Sequence, residues 1–261
     1  MSSHLRLLTS GLVSGLGGGL ASLGGGTLLI PLLTEWLGMS RLEARGTAMA
    51  ASFFTAVSGT ITYGLHGNVD WRTLLWTGLP ALVCAPLAAR LSADWPQDLL
   101  RRLFGVVVLL SAATLLARGD LHAGFAAGWS LPWMVLVGVI AGVVAGVVGV
   151  SGGPVLTPLF ALGLGMTQQL AQGSSLVSRL PPILSGVAEN QREGSVRWRA
   201  LPLLGLGIVI GTVAGSMLAI HLPEHILRSL FAVVLILLGL HEIGGRTIHP
   251  HIDHRPHGTY P

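Results

Sequence analysis

Arg179 stands near the middle of the apolar run 168–188, five residues after Ser174 and four after Ser175. A guanidinium is expensive in hydrocarbon, so at this depth it faces a partner or a polar cavity. No acidic residue has comparable depth, since Glu43 and Glu189 lie near the ends of apolar runs. The chemistry this permits is electrostatic: a seat for a small anion, with Ser174 and Ser175 as uncharged hydrogen-bond donors. The competing assignments are an ion pair with Glu189 or snorkelling to an interface.

Two glycine-rich interruptions offer a second source of the same chemistry. Gly24-Gly25-Gly26 interrupts the apolar stretch 5–37, and Ser151-Gly152-Gly153-Pro154 interrupts 131–163. Glycine weakens a helix and proline suits a first helical turn. Each stretch therefore reads as a longer helix, a break, and a short helix starting near Thr27 or Pro154. Such a start presents free N–H groups and the positive end of the helix dipole, which together favour an anion. The competing role for these glycines is close helix packing. Thr47 falls at the position equivalent to Ser174, and its hydroxyl joins the candidate set.

The elements that would position these groups come from a duplication. Residues 11–110 align with 138–237 at a constant offset of 127, without a gap, and 31 of the 100 pairs are identical. LGGGTLLIPLL (23–33) falls on VSGGPVLTPLF (150–160), and GNVDWR (67–72) falls on GSVRWR (194–199). Arg179 departs from this symmetry, because its mate is Ser52. A duplicated, very apolar chain points to a secondary transporter whose site lies where the repeats meet.

Composition agrees. The 261 residues are 51% hydrophobic and only 10% charged, with a mean hydropathy of +0.70. A soluble domain carries about 25% charged residues, so this surface belongs in a lipid bilayer. The net charge of +4 comes from scattered arginines, there is no lysine, and no patch suits nucleic acid. The single Cys84 excludes an internal disulfide or a cysteine metal cluster. No Walker, HExxH, CxxC or nucleophile-elbow motif is present, which leaves an ATP-driven pump or a known hydrolase class without support. The N-terminus reads as the retained start of the first span.

Orientation follows from arginine bookkeeping. If the long stretches fold back, each repeat has odd parity and the second is inverted; Arg6, 41, 45, 90, 101, 102, 192, 197, 199, 246 and 255 then share one side, against Arg72, 118 and 228. That split is 11 against 3, whereas parallel repeats give 8 against 6. The expected fold class is thus an all-α polytopic membrane protein of two inverted-topology repeats with helices broken at the midplane. The expected division is a first repeat at 1–118, a linker at 119–130, a second repeat at 131–240 and a His-rich cytoplasmic tail at 241–261. Both termini would be cytoplasmic, in a bacterial inner membrane, with tryptophans 36, 71, 95, 129, 133 and 198 at span ends.

His66, Glu189 and Asn190 close the second span of each copy and are candidates for gating or proton coupling. Tyr63 shares their position, although such residues also simply mark a water-facing loop. Asp70 and Arg72 flank Trp71 as an interfacial anchor. Gln168, Gln169 and Gln172 cap or line the entrance of the second copy's span. The tail holds His241, His249, His251, His254 and His257, and could bind a divalent metal or remain solvated.

GLGGGLASLGGGTLLIPLL followed by LGM and Gly46-Thr47, together with GVVAGVVGVSGGPVLTPLF and Gly173-Ser174-Ser175-Leu176, resembles the sulfite exporter TauE/SafE family over roughly 8–240. The resemblance implies a permease for sulfite or a related small sulfur-containing or organic anion, commonly moved outward. It places the family's glycine motifs on Gly24, Gly25, Gly26 and Pro31, and on Ser151, Gly152, Gly153 and Pro158. The family's Thr-Ser-Leu segment matches Ser174-Ser175-Leu176 well and Thr47-Ala48-Met49 poorly. No cofactor and no catalytic residue is expected, and a homodimer is an open assembly state. The alternatives are a cation or metal permease using the tail, a membrane-embedded enzyme, and a regulatory protein on a vestigial transporter fold.

Overall fold

A computed structural model describes residues 3–22, 26–92, 95–117, 130–148 and 153–244, and every regular element among them is helical. Each broken stretch gives a 19-residue helix and a shorter one: α1 (Ser3–Ala21) with α2 (Gly26–Glu35), and α6 (Ser130–Val148) with α7 (Gly153–Gly163). The short helices start one residue earlier than the sequence suggested. Between and after them come α3 (Arg41–Leu65), α4 (Leu79–Leu91) and α5 (Gln97–Ala117). The second copy continues with α8 (Gln168–Ser178), α9 (Leu180–Arg192), α10 (Leu201–His221) and α11 (Glu224–Gly244).

Local chemistry sets several boundaries. Ser40 and Glu43 form a reciprocal capping box at the start of α3. The Thr167 hydroxyl accepts from the Leu170 N–H at 3.3 Å and starts α8. The run 168–188, read from the sequence as one span, is two helices with Arg179 at the joint. Pro181 and Pro182 cause this. Neither has an N–H, so the carbonyls of Val177 and Ser178 lose their helical donors. The equivalent residues of α3 are Phe54 and Thr55, and α3 runs unbroken.

The long apolar stretches fold back on themselves. Arg6 Nη1 donates to the Trp36 carbonyl at 3.1 Å, bringing the end of α2 beside the start of α1. In the second copy the Trp133 indole N–H donates to the Leu159 carbonyl at 3.4 Å.

Helices pair across the copies through glycine. A Cβ at Gly11, Gly15 or Gly19 of α1 would strike α10 backbone at Leu204, Ile208 or Thr212. Shifted by 127, the same relation joins α6 to α4: Gly138, Gly142 and Gly146 meet Thr77, Ala81 and Ala85. Both pairs run parallel. Small residues permit this close approach, the usual way membrane helices gain packing energy. α3 runs parallel to α10, with Phe54 against Gly205 and Thr212 against Gly59. It runs antiparallel to its own counterpart α8–α9: Tyr63 meets Gly173, Gly59 meets Leu176, and Met49 meets Gly186.

Among the described residues, Leu74–Leu91, Asp98–Leu116, Trp198–His221 and Glu224–Gly244 are long and apolar enough to cross a membrane. Leu131–Val147 and Gly153–Gly163 are shorter apolar helices. The outward faces carry exposed apolar side chains such as Val83, Leu110, Leu237 and Leu240, as a lipid-facing surface requires.

Candidate functional site

Arg179 is 2% exposed and is the largest of the fully buried side chains. Its Nε donates to the Ser175 carbonyl at 3.2 Å, and its Nη2 lies 3.5 Å from the Ser22 hydroxyl. The guanidinium lies against the first residue of α7, where a Cβ on Gly153 would meet Arg179 Nη1 and the Ser22 carbonyl. A cation at the positive end of a helix is electrostatically unfavourable, and an anion held between the two offsets both.

The first copy repeats the position without the charge. The Ser52 hydroxyl lies 3.5 Å from where a Cβ on Gly26 would stand, at the first residue of α2. It donates to the Ala48 carbonyl at 2.8 Å. Positions 52 and 179 therefore each stand over the start of their own copy's short helix.

Arg179 forms the base of a cavity of about 590 Å3 between α3, α4, α6, α7 and α8–α9. Apolar residues line its depth, including Met49, Ala81, Ala85 and Leu156. Its mouth carries the exposed Arg45, Arg90, Glu189, Arg192 and Glu193. On the other side of Arg179 lie Ser22, Gln172 and Tyr63, all fully buried. Tyr63 donates to Gln172 Oε1 at 2.7 Å or to the Gly19 carbonyl at 2.9 Å, and the Ser22 hydroxyl donates to the Gln172 carbonyl at 3.2 Å. The way in is thus open from the arginine-rich end and filled by side chains beyond the arginine.

The other sequence candidates fall in different places. Ser175 is fully buried and its hydroxyl has no hydrogen-bond partner, one turn from Arg179. Ser174 and Thr47 form matched ties between the copies. The Ser174 hydroxyl oxygen accepts the Asp70 N–H at 2.9 Å, and that of Thr47 accepts the Arg197 N–H at 3.0 Å. These bonds repeat at the offset of 127, and Thr47 stands near the mouth end of α3, away from Arg179. Gly24, Gly25, Ser151 and Gly152 lie outside the described residues, as does the Thr27 side chain.

Glu189 faces Arg192 at 3.6 Å at the mouth. Asn190 donates to the Gly186 carbonyl at 2.7 Å and accepts from the Ser195 hydroxyl at 3.2 Å, on the cavity wall. His66 caps α3 at the opposite end, its Nδ1 2.8 Å from the Thr62 carbonyl. Among the described residues no three His, Cys, Asp or Glu side chains converge as metal ligands. The tail beyond Gly244 lies outside them. The apolar cavity wall was not singled out from the sequence, because its alanines look like ordinary span residues. The signal was there in the alignment, as Ala85 and Ala89 opposite Thr212 and Ser216.

Paired broken helices, a buried arginine and an apolar exterior define a polytopic helical membrane transporter. The family model for the sulfite exporter TauE/SafE matches residues 2–115 and 134–259. The chain belongs to that family, which is one of membrane transporters. It is 25% identical over 227 residues to the probable membrane transporter protein YdhB of Bacillus subtilis (strain 168), covering 85% of this chain and 93% of the relative. It is 22% identical over 262 residues to the probable membrane transporter protein YunE of the same organism, covering 91% and 96%. No solved structure matches the chain.

Proposed function

We propose that this protein is a secondary transporter that moves sulfite, or a related small sulfur-containing or organic anion, outward across the bacterial inner membrane by alternating access between two inverted repeats. The observation that carries this reading is Arg179, buried at the base of an open cavity and set against the start of α7. The anion would sit between the guanidinium and the N-terminal turn of α7, with the unpartnered Ser175 hydroxyl in reach of the same region. Gly24, Gly25, Gly26, Ser151, Gly152 and Gly153 would let it approach backbone N–H groups closely. Ser174 and Thr47 hold the frame through their hydroxyl oxygens, and their O–H groups stay available as donors.

Inversion is supported by α3 running against α8–α9, and by the fold-back contacts of Arg6 and Trp133. The repeats would occupy 1–118 and 131–240, with 119–130 as linker and 241–261 as tail. The cytoplasmic side would be the arginine-rich one, as the positive-inside rule asks. Arg45 and Arg90 at the mouth, with Arg192 paired to Glu189 and Glu193 nearby, leave a small positive excess that would favour anions there. An inside-negative potential then favours exit by about 2.3 kcal/mol per charge per 100 mV, so export needs little added coupling.

The test is flux in proteoliposomes with sulfite, thiosulfate, short sulfonates and small carboxylates. Saturable flux of at least one of these supports the reading. Absence of flux for all of them would overturn it and favour a regulatory membrane protein.

A further inference from the structure

The offset of 127 gives residues that line the open cavity mates in the other copy, and four of those mates are buried polar residues, three of which gather on the far side of Arg179. Ala85, Ala89, Pro182 and Arg45 line the open cavity. Their mates are Thr212, Ser216, Thr55 and Gln172. All four mates are fully buried. Gln172, Thr212 and Ser216 converge physically as well, and Thr55 lies one helical turn before Gly59 on α3. Gly19 of α1 meets the Ser216 hydroxyl and the Thr212 carbonyl, Gly59 of α3 meets the Thr212 methyl, and Tyr63 bridges Gly19 and Gln172.

Two properties set this cluster apart from ordinary packing. Three of its four positions carry a hydroxyl where the open cavity carries Ala or Pro. In addition, the hydroxyl oxygens of Thr55, Thr212 and Ser216 and the Nε2 of Gln172 have no hydrogen-bond partner. Hydroxyls in helices ordinarily satisfy themselves on the carbonyl four residues back, as Ser52, Thr62 and Ser178 do here. Buried polar groups left unpaired are uncommon and call for a reason. Unpaired groups also occur outside the cluster, at Ser10, Thr60, Thr157, Gln168 and Ser175. The cluster differs in gathering four of them on the symmetry image of an existing cavity.

We infer that Thr55, Gln172, Thr212 and Ser216 line a second vestibule, closed in this structure, that opens to the face opposite the arginine-rich mouth and passes the same small anion. The inference rests on the transporter reading and deepens it by naming the exit half of the path. In the closed form these groups forgo their hydrogen bonds. When the vestibule opens, water and the anion supply them. The two halves differ in a way that suits export. The entry carries Arg45, Arg90 and Arg192 against Glu189 and Glu193, a small positive excess that favours anions. The exit carries neutral donors, which solvate an anion without holding it.

Accessibility labelling tests this without any substrate. In a Cys84→Ser background, Ala85→Cys and Ala89→Cys are compared with Thr212→Cys and Ser216→Cys. A membrane-impermeant thiol reagent is applied to right-side-out and to inside-out vesicles. The first pair is expected to react from the arginine-rich face, and the second pair from the opposite face. Reaction of 212 and 216 from the same face as 85 and 89 overturns the inference, as does their silence from both faces while 85 and 89 react. A second measurement guards against misfolded cysteine variants. Thr55→Val and Thr212→Val are expected to lose sulfite flux with melting temperature unchanged or raised; full flux in both overturns the exit role. Failure of the anion reading itself shows elsewhere, as wild-type flux in Arg179→Gln.

Discussion

The two copies place one position, 52 or 179, over the start of a short helix, and fill it differently. In the first copy Ser52 turns back to its own helix at Ala48, and α3 continues straight to Leu65. In the second copy Arg179 reaches Ser22 and the start of α7, and the helix is jointed there by Pro181 and Pro182. The regions on either side differ too: one is open with a charged mouth, the other filled by Ser22, Gln172 and Tyr63. Duplication supplied a symmetric frame, and substitution at a few positions gave the halves separate tasks. The frame is kept by paired devices, such as the glycine contacts of α1 with α10 and α6 with α4, and the hydroxyl ties at Thr47 and Ser174.

Erasing the central difference has the largest expected effect. Arg179→Gln removes the buried charge from the anion's seat, and truncating one partner of a buried charge pair costs about 2–5 kcal/mol. Substrate affinity should fall roughly 30-fold to several thousand-fold, read as KM for anion flux. Ser52→Ala, the matching change in the first copy, should leave flux near wild type.

Next come changes to the shared frame. Gly15→Val and Gly142→Val each push a side chain into backbone, at Ile208 and Ala81 respectively. Overpacking of this kind costs about 1–3 kcal/mol, so both variants should lower the melting temperature in detergent. If only one does, the two pairings are not equivalent.

Pro182→Thr makes the joint resemble the first copy. It restores an N–H for the Ser178 carbonyl. The expected result is an unchanged or higher melting temperature with slower flux, because one of the two prolines that hold Arg179 at a break is gone. The smallest effect belongs to the Glu43–Arg197 pair at 2.9 Å, whose side chains are 37% and 45% exposed. Exposed pairs contribute about 0–1 kcal/mol, so Glu43→Gln should barely move stability or flux.

Much of this arrangement is legible in the sequence. The offset of 127, the glycine interruptions and the depth of Arg179 identify the helix breaks and the one position where the copies disagree in charge. The joint at Pro181-Pro182 was also visible, yet the surrounding apolar run reads as a single span, because hydropathy measures length in lipid and not continuity of hydrogen bonds. The roles of Thr47 and Ser174 were not legible. Both occupy a position suited to a donor, but their oxygens also accept N–H groups more than a hundred residues away, a tie that local sequence cannot reveal. The cavity wall was missed for a related reason: alanine marks empty space only once the facing helices are known.

The central claim is that Arg179 is the seat of a transported anion. The most direct measurement is equilibrium binding of sulfite to purified protein by titration calorimetry, with wild type beside Arg179→Gln and Ser52→Ala. The account predicts saturable binding to wild type and Ser52→Ala, and affinity at least roughly 30-fold weaker in Arg179→Gln. Equal affinity in wild type and Arg179→Gln, with both proteins folded, would contradict it.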